Sequence, residues 1–312
     1  MNWFQTDECY EFYNNLPFLE AFRFEVKRED EVKGSVVGYI QKDGGILKQF
    51  FSRRAIITGG PYLADDITET EISELLESCK SGLKGKCIYI ETRNFMDYSL
   101  YKSAFLKSKF IYEPHYDYII STSNLSEAIN KISHDAKTRI RKSQKLGATV
   151  CISPSQKQIK EFYQILLILY KGKIKTPLLP YTFFDNLLQL PEAKCFIVLN
   201  SKNQTIGGGI RIVSETDNTL YSWYAGCDNI NYKSISPSYL LNYESILYAY
   251  HNDMTRIDMM GAGSPNDGGY GVRDFKAKFG GDLVEYGRFK CIMNKPLYFI
   301  GVLGVKILKK LK

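Results

Sequence analysis

The order of hydrophobic runs repeats once along the chain, and that repetition limits the folds open to it more than any single motif does. Strand-like runs at residues 21–26 and 35–41, a Lys42-Asp43-Gly44-Gly45 turn, and further runs at 46–52 and 54–58 have the pattern of an antiparallel meander. Helical spacing follows over 69–80 (Ile72, Leu75, Leu76, Cys79), then a buried-strand run at 87–91, a helix at 98–106 and a strand at 111–121. The second half gives helices at 158–170 and 182–188, then strands at 195–199, 207–213 and 220–225. A further helix takes Ser236 as N-cap and Pro237 in its first turn, with Leu240, Tyr243, Leu247 and Tyr250 facing inward. Each half also carries a strand, a polar turn and a Gly-bearing strand (Gly38; Gly207 to Gly209), so an internal duplication of a mixed α/β unit is expected.

A chain of 312 residues, 44% hydrophobic and 24% charged, has the material for two cores. The expected division is residues 1–147, residues 148–290 and a tail from 291 to 312. Between the halves, 124–147 reads as one helix with Asn124 as cap, Leu125, Ile129, Ile132, Ala136 and Ile140 as its apolar stripe, and Gly147 as its stop. Its last turns are basic: Lys137, Arg141 and Lys145 form an i, i+4 row with Arg139 and Lys142 beside it. Such a cluster suits phosphates, while each cation taken singly suits the C-terminal end of a helix dipole.

The stretch GAGSPNDGGYGVRDFKAKFGG, residues 261–281, concentrates the chemistry. A short strand at 255–260 leads into it, and a short helix leaves it near Asp274, anchored by Phe275 and Phe279 at i, i+4. Lys276 lies between those anchors. Glycine lets backbone approach a ligand closely, and a cation in such a connection suits an anion or an oxyanion formed during acyl transfer.

Net charge is +7, a moderate excess that fits phosphate-bearing partners and falls short of a dedicated nucleic-acid binder; no DNA partner is expected. Seven cysteines without a C-x-x-C pair give neither a disulfide framework nor a zinc site, which fits a reducing cytoplasm. Acidic residues at Asp7, Glu8 and Glu11 argue against a signal peptide, and the three histidines have no metal-ligand spacing, so no metal is expected. The tail reads two ways. Its apolar run, 297–305, followed by Lys306, Lys309, Lys310 and Lys312, suits either the interface of an anionic membrane or a last helix packed on the protein.

Five segments together resemble the Fem-type acyltransferases: RRAIITGGPYL (53–63), TRIRKSQKLGATV (138–150), IGGGIRI (206–212), SPSYLLNYESI (236–246) and GVRDFKAKFGG (271–281). The resemblance spans about residues 3–290, and its most specific parts are F-K-x-x-F-G-G and the preceding S-P-x-x-L-L. It implies an α/β fold of two tandem GNAT-like domains, with mixed central sheets flanked by helices. It also implies N-acyl transfer to an amine of a cell-envelope precursor, a peptidoglycan peptide or lipid-linked glycan. The donor would be aminoacyl-tRNA or acyl-CoA, bound as a substrate with no resident cofactor, and the acceptor would lie between the domains. Localisation would be cytoplasmic, at the inner face of the membrane where the tail engages it. The alternative from another class is a non-catalytic module that binds a glycan or a tRNA end.

Matched onto the family's pattern, Lys276 takes the role of transition-state stabilisation, with Arg273 as a second charge or, equally, a partner of Asp274 or another carboxylate. Asp258 would receive a proton, or else cap a turn or pair with Arg256. Arg139 and Lys142 would contact the donor, Tyr224 would orient the acceptor amine or pack among aromatics, and Ser236 and Tyr270 would contact substrate. The long helical hairpin of some tRNA-dependent members is missing. GAGSPN departs from a dinucleotide fingerprint at Asn266, there is no Walker motif, and Cys227 reads as a small buried side chain.

Overall fold

The meander forms as its alternation requires: β1 (Leu19–Arg28) and β2 (Glu31–Gln41) pair antiparallel, and β2 pairs antiparallel with β3 (Arg54–Gly59). The computed structural model describes residues 1–42, 51–174, 177–266 and 271–310. Most of the expected strand at 46–52 lies outside those residues, and Phe51 and Ser52 are helical. Among the described residues the chain builds two seven-stranded mixed sheets, in two units: Met1–His115 with Glu285–Lys312, and Tyr116–Val284.

The first sheet runs β1-β2-β3-β5-β14-β6, with β4 (Tyr62–Leu63) on β2; here β5 is Tyr89–Asn94, β6 Ile111–Glu113 and β14 Arg288–Ile292. The second runs β13-β7-β12-β11-β10-β9-β8. Its members are β7 (Tyr116–Ser121), β8 (Thr149–Cys151), β9 (Ala193–Leu199), β10 (Thr205–Ser214), β11 (Thr219–Cys227), β12 (Arg256–Asp258) and β13 (Asp282–Glu285). In both, three antiparallel strands are followed by a parallel neighbour, β3 beside β5 and β11 beside β12. The expected duplication is present at this level.

The division differs from the expected one at 147 and 290, because the sheets exchange strands. The run 111–121 is not one strand: β6 stays in the first sheet, and β7, two residues on across Pro114 and His115, pairs with β12 in the second. Proline supplies no N–H to continue a ladder. Conversely β14 leaves the second unit and inserts between β5 and β6. Phe289 holds it there, fully buried, its ring stacked 4.0 Å from Phe105 while its N–H donates to Thr92 Oγ1.

Helices obey their local signals more closely than their expected lengths. Ile72, Leu75, Leu76 and Cys79 of α2 (Glu69–Gly82) are buried, as the spacing required, after α1 (Asp7–Asn14). Residues 124–147 form two helices, α4 (Leu125–Lys131) and α5 (His134–Lys145), after α3 (Lys102–Lys107). The break arises because Ile132 is extended and Ser133 caps a new start, its hydroxyl accepting from Ala136 N–H. Both belong to the second unit, with α6 (Gln156–Leu169) and α7 (Tyr181–Leu187). In α8 (Pro237–His251) the buried side runs through Leu240, Leu241, Ser245, Ile246 and Ala249; of the expected stripe Leu240 is buried and Tyr243 packs against the core, while Tyr250 is exposed. With apolar residues nearly all round, its spacing left the face undetermined.

Candidate active site

The strand β12 ends at Asp258, and the next residues turn sharply: Met260 and Gly261 both have positive φ, 50° and 58°. The N–H groups of these two residues are therefore free of the strand ladder and available to side-chain acceptors. Two carboxyl groups take them. Asp258 Oδ1 accepts from Met260 N–H at 2.7 Å, and Asp117, on β7, accepts from Gly261 and Tyr118. They meet because β7 pairs with β12, Ile119 opposite Asp258.

Lys276 closes the turn from the other side. On α9 (Gly271–Ala277), it donates to the carbonyls of Met259 and Met260 and, at 3.0 Å, of Gly261. The anchors are as expected: Phe279 is fully buried, Phe275 lies 5.3 Å from it, and Tyr239 packs against both rings. Burial lowers the lysine's proton affinity, Asp117 and Asp258 oppose that, and Arg211 adds to it. The ammonium is therefore not turned to bulk water. Its three N–H donors are all committed to backbone carbonyls.

The two carboxyl groups hydrogen-bond to each other, which requires a proton between them. Burial pushes Asp258 well above the usual carboxylate range and the charge of Asp117 pushes it further. Burial also raises Asp117, against the pull of Lys276. One carboxylate, one carboxylic acid and one ammonium make a neutral set. This geometry gives Asp258 the turn-capping role; Arg256 instead bonds Thr219 Oγ1 at 2.7 Å and Asp217 at 3.4 Å.

A carboxyl raised in the folded state contributes stability below its unfolded pKa, about 4, and loses it as pH rises through the folded value. Asparagine at 258 supplies the same acceptor and donor without that dependence. Asp258→Asn is therefore expected to be at least as stable as the parent at pH 8, with the advantage shrinking toward pH 4 in denaturant titrations. A loss of stability at alkaline pH would show that the proton is not there.

The other expected site residues are distributed as follows. Arg273 braces the loop by donating to the carbonyls of Ala262 and Ser264, its guanidinium over the Tyr116 ring. Arg139 pairs with Asp135 at 3.0 Å and lies 5.2 Å from the Tyr239 ring; Lys278 joins the same carboxylate at 2.8 Å. The Lys142 side chain is exposed. Tyr224 packs edge-on against Phe184 at 4.8 Å, the aromatic alternative. Ser236 occupies the N-cap position of α8 with φ of 53°, but its hydroxyl donates back to the Lys233 carbonyl and caps nothing. Tyr270 lies outside the described residues. The Cys227 thiol, pushed up to about 11 chiefly by burial, stays protonated. All seven cysteines are free, and no cluster among the described residues has the makings of a metal site.

Two residues escaped the sequence reading. Asp117 lies far from the loop in sequence, and nothing in YDYII marks it. Arg211 did leave a signal, a lone cation in the apolar IGGGIRI run. It is fully buried at a register shift between β10 and β11, bonded to Ser245 Oγ and the Tyr224 carbonyl, and its Nη2 has no hydrogen-bond partner among the described residues. Burial lowers its pKa to about 10.

Residues 185–303 match the FemAB family. No curated protein matches the chain in sequence. The fold, two mixed sheets flanked by helices, is that of Fem-type and tandem GNAT-like structures. The crystal structure of FemX aligns with a TM-score of 0.71 at 17% identity, over 96% of this chain and 94% of that one. L-PGS from Bacillus licheniformis gives 0.60 at 11%, over 96% and 91%. A tandem GNAT protein from the clavulanic acid biosynthesis pathway gives 0.54 at 7%, over 89% and 84%.

Proposed function

We propose that this chain is an N-acyltransferase of the Fem type, moving an aminoacyl or acyl group from an activated ester or thioester onto an amine of a cell-envelope precursor. The observation that carries the reading is the Lys276 ammonium, held by the carbonyls of 259–261 within the charge influence of a buried carboxyl pair, in the segment that matches FemAB. The acceptor nitrogen attacks the acyl carbon, the bond to the leaving oxygen or sulfur breaks, and the proton lost by nitrogen goes to that leaving atom. Lys276, a cation, fixes the carbonyls of 259–261 and so sets the backbone beside which the acyl group reacts. Asp117 and Asp258 balance that charge and hold the turn, acting as positioning residues.

The donor is aminoacyl-tRNA or acyl-CoA, and either confines the reaction to the cytoplasm. The exposed cations of α5, Arg141, Lys142 and Lys145, suit the phosphates of both. Charged tRNA in a mobility-shift assay and acyl-CoA in a thermal-shift assay separate the donors, since a ligand at 100 times its Kd stabilises by about 2.7 kcal/mol. We expect one donor to bind and to yield an amide with a peptidoglycan-precursor peptide or lipid-linked glycan amine. Failure of both to give an amide would sink the reading.

One observation favours a second reading. Because all three Lys276 donors are committed to backbone, the ammonium would serve equally as a structural clamp in a module that binds a glycan or tRNA end without chemistry. Substitution of Lys276 tells the two apart.

A further inference from the structure

The C-terminal helix α10 (Lys295–Lys310) has apolar side chains on two sides, and the protein covers one of them. Leu297, Tyr298, Gly301 and Gly304 are half-buried, at the spacing of one helix face. Tyr298 meets Tyr89 edge-on at 5.6 Å, and a Cβ on Gly301 would stand 3.3 Å from the Phe51 carbonyl oxygen. The other side carries Phe299, Ile300, Val302 and Leu303, exposed by 64%, 52%, 36% and 59%. A helix held only by the protein would turn polar residues outward here.

Charge identifies what covers that side. No acidic residue occurs after Glu285, while Lys295 begins the helix and Lys306, Lys309, Lys310 and Lys312 end the chain. Apolar residues beside lysines, without counter-charge, match the boundary between acyl chains and anionic headgroups. No helix among the described residues is long and apolar enough to cross a membrane, and α10 has 16 residues where a span needs about 20.

We propose that α10 lies in the plane of an anionic membrane surface, with Phe299, Ile300, Val302 and Leu303 toward the acyl chains while Tyr298 and Gly301 keep it seated on the protein. The packing against the body and the membrane contact are thus two sides of one helix. This inference is independent of the chemistry proposed above.

The test is flotation of the full chain with vesicles of phosphatidylcholine containing phosphatidylglycerol, against phosphatidylcholine alone. Binding to the anionic vesicles, weakened by salt, is expected, with a loss of roughly tenfold or more in Phe299→Asp/Leu303→Asp. Both positions are exposed, so the variant should keep the parent's thermal unfolding. Failure of the parent to float with anionic vesicles, or equal flotation of the variant, would overturn the proposal. So would a lipid-free dimer of the parent that the variant dissociates, since the face would then belong to a second copy.

Discussion

Replacing Lys276 by methionine or alanine should lower turnover by about 10²-fold on fully folded protein, the scale of displacing the backbone beside a reacting centre by about 1 Å. It should also cost about 3–5 kcal/mol of stability, because it leaves Asp117 without its cation and three loop carbonyls without their donor. The stability loss has a pH signature. Without the ammonium the folded-state pKa of Asp117 moves up further; a raised carboxyl is stabilising below its unfolded pKa, about 4, and that stability is lost as pH rises through the folded value. The deficit against the parent is therefore smallest in acid and grows toward neutrality. Denaturant titration at the two ends of that range checks it, and a deficit independent of pH would exclude a carboxylate partner. For the enzymatic reading, affinity for substrate should change little while turnover falls; a binding module would lose affinity and show no turnover in the parent.

Gly280→Ala should be the most damaging methyl group that can be added to the FKAKFGG segment. Gly280 has φ of +75°, and a Cβ there would stand 2.4 Å from Lys131 Cβ and 2.5 Å from its carbonyl oxygen, at the end of α4. Left-handed backbone and overpacking against a helix terminus together cost roughly 2–5 kcal/mol. The strain acts next to Phe279, the buried anchor of the helix that presents Lys276, so turnover should fall with stability. Gly271→Ala is the control: a Cβ there meets nothing within 4 Å, and alanine in a helix is favoured over glycine. Equal unfolding midpoints for the two variants would refute the steric account.

Parts of this site were legible because they are local. Phe275 and Phe279 flank Lys276 at i, i+4 spacing and their rings meet at 5.3 Å, although α9 itself ends at Ala277. The end of α5 at Gly147, φ +76°, followed from glycine's access to left-handed backbone. Asp117 was not legible, since its importance arises from the pairing of β7 with β12, which are distant in sequence. Arg211 was visible as a misfit in an apolar strand, but its burial and its bond to Ser245 needed the packed helix α8. The inward face of that helix misled for the same reason: a helix apolar nearly all round does not specify which side meets the sheet.

The amino-acid order by itself determined the repeated α/β elements, the glycine-rich turn and the placement of Lys276 between two aromatic anchors, because each depends on contacts within a few residues. Tertiary structure alone decided that β7 and β14 change sheets, that 124–147 is two helices, and that a carboxyl pair lies under the turn. The physical reason is range. Periodicity and capping act over one or two turns of chain, whereas hydrogen-bond pairing of distant strands and the sharing of a proton between buried carboxyls are set only when the sheet has closed.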